Sequence, residues 1–199
     1  MTKLTGGILA GGEGKRFGGA DKGWLSCDGR SFVEHVRDAL APQVDEILIS
    51  ANRNLPRYEA LGHRVVSDGV GAGPAAGLLQ LMEAASHPWL LCVPCDALDL
   101  PATLARDMLD EQWAEESDLV VLHQGERVHP TCCLVLRSLA PDLRRYLRQG
   151  HSALWRWQSR HRVAHLQLPT PLVNVNDPAA LAKFAHGSAS PDTGTRGQT

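Results

Sequence analysis

The chain has 199 residues, 43% of them hydrophobic, enough to bury one sizeable core and in the size range of a single domain. A formal net charge of −2 and a pI near 6.5 exclude the broad basic field of a nucleic-acid binder, so cations that hold phosphate must be gathered locally. No apolar run reaches the roughly 20 residues that span a bilayer, and no basic, apolar leader precedes the first strand; the expectation is a cytoplasmic protein with neither nucleic acid nor membrane as partner.

Apolar runs alternate with amphipathic stretches, the pattern of βαβ units, and predict a Rossmann-like three-layer α/β/α fold with a mostly parallel central sheet. The first predicted strand, 4–9, opens into a glycine-rich loop. Six glycines from Gly11 to Gly23 strip side chains from the backbone, so its N–H groups can approach an anion that Lys15, Arg16 and Lys22 would neutralise. A Walker A loop needs Gly before its Lys and Ser or Thr after it, where this chain has Asp21 and Gly23. The dinucleotide fingerprint also fails, because Phe17 stands three residues after Gly14 and the loop is too long for a tight strand-to-helix turn.

A helix at 32–41 leads to a strand at 46–50, which ends at Ser50-Ala51-Asn52. A short strand at 64–67 ends at Asp68, which by itself reads as a solvated turn acid before Gly69, though its two oxygens could also accept from the N1–H and exocyclic amine of guanine. Gly71-Ala72-Gly73-Pro74-Ala75-Ala76-Gly77 then enters a helix at 75–85, either as backbone that lets a ligand approach a helix N-terminus or as turn punctuation. The most apolar strand, 89–93, ends at Pro94-Cys95-Asp96. A carboxylate there is well placed for Mg²⁺ beside a triphosphate, since magnesium takes one or two carboxylates plus phosphate oxygens. Asp99, just before Leu100-Pro101, is the expected cap of a helix at 102–115. In an open parallel sheet ligands gather beyond such strand ends, so these segments point to one crevice.

Strands at 119–123 and 131–136 are expected to form a hairpin, with Gly125 at its turn and Pro130 at a strand start. A helix at 140–149 and a strand at 164–168 follow. Asn174 and Asn176 alternate with valines and so share one face, as amides that read a polar heterocycle or as turn residues before a helix at 178–186 capped by Asp177-Pro178. From Gly187 onward there is almost nothing to bury, so one domain over 1–186 and a disordered tail over 187–199 are expected. The five cysteines, Cys27, Cys92, Cys95, Cys132 and Cys133, suit reduced thiols, with Cys92 in the core and no second pair to complete a zinc site with Cys92-Val93-Pro94-Cys95.

The run from Leu9 to Lys22, L-A-G-G-x-x-x-R-F-G-G-x-D-K, resembles the signature loop of nucleotidyltransferases that move a nucleoside monophosphate from a triphosphate onto a phosphorylated acceptor. Its doubled glycine before Asp21-Lys22, the short chain and the later segments are most similar to the molybdenum cofactor guanylyltransferases, and the similarity runs to about residue 186. The resemblance implies transfer of GMP from GTP to the phosphate of a molybdopterin-type molybdenum cofactor, with release of pyrophosphate. It implies GTP contacts at Leu9, Ala10, Gly11, Gly12, Lys22, Ser50, Asn52, Asp68, Gly73 and Asp96, and catalytic roles for Arg16, Lys22 and Asp96, with Mg²⁺ on Asp96. Gly77, Asn174 and Asn176 would hold the acceptor, and molybdoenzyme-specific chaperones or other cofactor-synthesis proteins are candidate partners. Relatives often carry Asn at the position of Ser50, which leaves the base contact open between Ser50 and Asn52. They also carry arginines shortly after the position of Gly150, where this chain reads His151-Ser152-Ala153. The segment Gly125 to Thr131 matches G-E-R-x-H-P-T and is expected to serve structure more than chemistry. Alternatives are a cytidylyltransferase for the same cofactor, a sugar- or polyol-phosphate nucleotidyltransferase, and a non-catalytic GTP-binding adaptor, the last disfavoured by intact Arg16, Lys22 and Asp96.

Overall fold

The computed structural model describes residues 2–11, 18–67, 69 and 73–168. In chain order these form β1 (Leu4–Leu9), β2 (Ser26–Cys27), β3 (Arg30–Ser31), α1 (Phe32–Leu40), β4 (Glu46–Ser50), α2 (Leu55–Glu59), β5 (Arg64–Val66) and α3 (Pro74–Ala84). There follow β6 (Trp89–Pro94), α4 (Leu104–Ala114), β7 (Leu119–Gln124), β8 (Arg127–Leu136), α5 (Ala140–Arg148), α6 (Leu154–Gln158) and β9 (Val163–Gln167).

Seven strands make one sheet in the order β5-β4-β1-β6-β8-β7-β9. β1 is parallel to both β4 and β6, β4 to β5 and β7 to β9, while β8 runs antiparallel to β6 and β7. The chain winds outward from β1 to β5 and then returns to the other side of β1 for β6. The direction of winding therefore reverses between β1 and β6, where α/β sheets open a crevice at the carboxyl ends of their strands.

Helices cover both faces, as the predicted three layers require. α1 and α4 pack Phe32, Val36, Leu40, Leu104 and Met108 on one side, and α3 and α5 pack Leu78, Leu81, Met82, Leu143 and Leu147 on the other. β1 sits between them with glycines facing both ways. A Cβ on Gly6 would lie 2.7 Å from Leu40 and one on Gly7 2.9 Å from Leu81, so bare backbone at these two positions lets α1 and α3 close on the strand. α1 starts where its sequence directs, with the Ser31 amide donating to the Glu34 carboxylate at 2.8 Å to close a capping box.

The structure corrects several sequence expectations. α4 begins at Leu104 after Thr103, and Asp99 is exposed and caps nothing; the chain needs two more residues beyond Pro101 before it turns helical. Pro130 lies inside β8 rather than at its start. Val121 pairs with Cys133 but the next residue, Leu122, pairs with His129, and this register shift takes up Pro130, whose missing N–H a regular ladder could not tolerate. The β2–β3 hairpin, α2 and α6 were absent from the predicted elements. All five cysteines are buried free thiols, Cys92 in the core as expected. The expected helix at 178–186 and the tail at 187–199 lie outside the described residues. Among the described residues no helix is long and apolar enough to cross a membrane.

Candidate active site

At the carboxyl ends of β1 and β6 lies a cavity of about 250 Å³ lined by Leu9, Gly11, Lys22, Ser50, Gly73, Pro74, Gly77, Pro94, Cys95, Asp96 and Thr131. Sheet hydrogen bonding continues to its rim. The Ala10 amide donates to the Ser50 carbonyl at 2.8 Å, and the Cys95 amide to the Leu9 carbonyl at 3.0 Å. These bonds carry the ladder past the formal strand ends and fix where Asp96 emerges. At the opposite wall α3 begins at Pro74 after Gly73, whose φ of 79° suits a residue without a side chain. Gly73 and Gly77 thus bring backbone and the positive end of an 11-residue helix to the cavity.

Lys22 and Asp96 meet inside this space. The ammonium donates to Asp96 Oδ2, with the side chains only 17% and 13% exposed. A cation and an anion set this deep compensate each other's desolvation. Among the described residues Asp96 is the carboxylate on the cavity wall. Cys95 beside it is no nucleophile: burial first, then the Asp96 charge, push its thiol well above the usual range. His129 is buried, with its Nε2 3.2 Å from Gln124 Oε1. Its burial, with Arg127 and His123 adding and Asp96 opposing, holds the imidazole below its ordinary range and keeps it neutral near pH 7.

A second layer of contacts holds the lysine's short turn, Lys22–Trp24. The Asp21 carboxylate accepts from the Tyr58 hydroxyl at 2.6 Å, from Asn54 Nδ2 at 2.9 Å and from the Gly23 amide at 3.3 Å. The Trp24 ring lies 4.9 Å from the Tyr58 ring, and the Arg57 guanidinium lies over the Trp24 ring at 3.8 Å from its centroid. Arg53 donates to the Gly19 carbonyl at 3.0 Å, and the Asn52 amide lies over Gly11, where a Cβ would come within 3.1 Å of Nδ2. The stretch from Asn52 to Tyr58 therefore grips the described part of the glycine-rich loop along its length.

Of the residues singled out in the sequence, Leu9, Gly11, Lys22, Ser50, Gly73, Gly77 and Asp96 come together around the cavity. Ala10 is buried next to it. Ser50, 1% exposed, lines it, whereas Asn52 is exposed and sits against Gly11 instead. Gly12, Arg16, Asp68, Asn174 and Asn176 lie outside the described residues. Thr131 was missed as a site residue: the H-P-T segment looked like hairpin structure, but the register shift brings its threonine to the cavity.

A parallel-sheet switch point that joins glycine backbone, a helix N-terminus, a lysine and a carboxylate defines an α/β enzyme that handles a phosphorylated nucleotide. Residues 6–165 match the model of the MobA-like NTP transferase domain, and the chain belongs to that family. It is 38% identical over 188 residues to a molybdenum cofactor guanylyltransferase of Shewanella halifaxensis, covering 92% of this chain and 94% of the relative. The corresponding protein of Shewanella sediminis is 38% identical over 187 residues, 92% of this chain and 95% of its own. Among solved structures, molybdopterin-guanine dinucleotide biosynthesis protein A from Archaeoglobus fulgidus superposes with a TM-score of 0.75 at 18% identity, covering 92% of this chain and 98% of its own, a likeness of fold.

Proposed function

We propose that this chain transfers GMP from GTP to the phosphate of a molybdopterin-type molybdenum cofactor, forming the guanine dinucleotide cofactor and pyrophosphate. The observation that carries the reading is the Lys22–Asp96 pair in the cavity where β1 and β6 end, in a chain whose relatives are named for this reaction. An acceptor phosphate is already ionised near pH 7, so no strong general base is needed and catalysis reduces to alignment and charge compensation.

In this proposal backbone amides at Gly11 and Gly12, with Arg16, hold the β- and γ-phosphates. Lys22 moves its ammonium from Asp96 to an oxygen of the α-phosphate or the acceptor, so neither charge is stranded in the cavity. Asp96 is a hard oxygen donor facing that space, which fits Mg²⁺, a cation that keeps waters and phosphate oxygens around one or two carboxylates. Held by Asp96, Mg²⁺ would supply charge compensation to the phosphate oxygens. Asp68 would select guanine, because adenine lacks the N2 amine and would leave the acid unpaired. Ser50, which lines the cavity, is favoured over Asn52 as the second base contact. Gly77, Asn174 and Asn176 would hold the acceptor. Chaperones of molybdoenzymes or other cofactor-synthesis proteins would receive the product, in a cytoplasm whose reducing conditions suit five free thiols.

The purified chain, given Mg²⁺, the molybdopterin cofactor and one nucleoside triphosphate at a time, should yield a GMP adduct and pyrophosphate with GTP alone. A CMP adduct would move the reading to a cytidylyltransferase. Bound GTP without pyrophosphate release in the presence of acceptor would move it to an adaptor.

A further inference from the structure

We propose that Tyr58 is a positioning residue for the transfer, acting through the Asp21 carboxylate to set where the Lys22 ammonium lies in the cavity; this role rests on the assignment of Lys22 to the reaction. Lys22 stands in a three-residue 3-10 turn outside the sheet. Two backbone hydrogen bonds close that turn, Trp24 N–H to the Asp21 carbonyl at 3.0 Å and Leu25 N–H to the Lys22 carbonyl at 3.2 Å. Neither fixes the turn against the body of the protein. On its far side the turn is tied to α1 by the Phe32 amide donating to the Leu25 carbonyl at 2.9 Å; on the lysine side it is held by the Asp21 side chain, whose Oδ1 accepts from Tyr58 at 2.6 Å and whose Oδ2 accepts from Asn54 at 2.9 Å.

Tyr58 is suited to anchor it. The residue is fully buried on α2, behind the end of β4, and its ring packs against Trp24 within the same turn. Its hydroxyl sits so close to Gly23 that a Cβ there would collide with it. Burial, with the hydrogen bond from Tyr58 to Asp21 adding, pushes the phenol far above its usual range, so it stays a donor at working pH. The charge arrangement follows from the same contacts. Lys22 has one acid beside it in sequence, Asp21, and another across the cavity, Asp96. With both Asp21 oxygens occupied from the α2 side, the lysine ammonium meets Asp96 where β6 ends. A hydroxyl that only filled space at this point would have no need of a charged partner.

Tyr58→Phe keeps the ring and removes the hydroxyl. We expect kcat for GMP transfer to fall about tenfold, the effect of losing one hydrogen bond to a charged group, with KM for GTP within about twofold of the parent and a melting temperature lower by only a few degrees. In a Lys22→Ala background the same change should have no further effect on kcat, because there is no ammonium left to position. Parental kcat in Tyr58→Phe would overturn the proposal. An equal fall of kcat in both backgrounds would overturn action through Lys22 while leaving the lysine's own role intact. Parental turnover in Lys22→Ala would sink the assignment of Lys22 and this role with it. Asn54→Gly, an exposed change at φ 50° that removes the other side-chain donor, gives the same test without touching the core: kcat must fall in the parental background and not in Lys22→Ala, and parental kcat would again overturn the proposal.

Discussion

Gly23→Ala puts one methyl group against the contact that holds the lysine turn. A Cβ at Gly23 would lie 3.2 Å from Tyr58 Cζ and 3.3 Å from Cε1, and closer still to the hydroxyl. Carbon atoms rest at about 3.5–4.0 Å, so the ring or the turn must shift. Tyr58 is fully buried and cannot swing into solvent. Overpacking of this kind costs about 1–3 kcal/mol, and displacing the hydroxyl from Asp21 forfeits about 1.5–3 kcal/mol more. Reduced freedom of the unfolded chain returns about 0.4–1 kcal/mol. The net is a loss of about 1.5–5.6 kcal/mol, or about 3–22 °C in melting temperature for a chain of this size. Calorimetric melts of Gly23→Ala, Tyr58→Phe and the double variant test the cause, because removing the hydroxyl takes away the nearest atom. In the Tyr58→Phe background the penalty of Gly23→Ala should shrink by more than half. Parental melting in Gly23→Ala, or the same penalty in both backgrounds, would refute the steric account.

Asp96→Asn keeps the shape of the side chain but removes the charge that pairs with Lys22 and is proposed to hold Mg²⁺. Turnover at ordinary Mg²⁺ should fall at least about a hundredfold, with part of the loss recovered as Mg²⁺ is raised in a steady-state titration; near-parental turnover would remove Asp96 from that role. Glu34 is a stability prediction with a pH sign. The Ser31 hydroxyl, then its amide, hold this carboxyl below its ordinary value of 4.5, so its contribution is present above that pH and is lost as pH falls through the lower folded value. Urea midpoints between about pH 6 and about pH 3 should therefore decline more steeply for the parent than for Glu34→Gln, and identical slopes would contradict the capping-box account.

The sequence was most legible where hydrophobic period and strand ends coincide. Trp89 to Val93 is a run that only a buried strand explains, and the acid after it had to surface at the sheet's carboxyl edge, where Asp96 is found. The helix expected from residue 32 does start at Phe32, where the structure shows a capping box between Ser31 and Glu34. Short elements escaped because they hold too few residues to display a period: α2 and α6 have five residues each, and β2 and β3 have two each. The β2–β3 hairpin did carry a signal, Asp28-Gly29, whose φ values of 51° and 77° are those of a two-residue turn that favours this dipeptide. The grip of Asn54, Arg57 and Tyr58 on the glycine-rich loop could not be read from spacing. It depends on the end of β4 lying beside the end of β1, a neighbour relation that only the sheet order reveals. Thr131 was hidden for a similar reason, since a register shift changes which residues of a strand reach a given edge.

The sheet order also sets a schedule for a chain leaving the ribosome. β1 can pair with β4 once residue 50 is made, but its other edge stays open until β6 is complete at residue 94. At the usual 5–20 residues per second that leaves roughly 2–9 s in which a glycine-bearing strand presents bare N–H and C=O groups to whatever is nearby. Closing that edge is the event that brings Asp96 alongside Lys22, so the strand pairing that removes the hazard is also the one that assembles the charged pair. A nascent chain stalled before residue 94 would expose the edge of β1 and lack Asp96; β6 ends both conditions, while the cavity wall at Thr131 and the outer edge of β6 wait for β8.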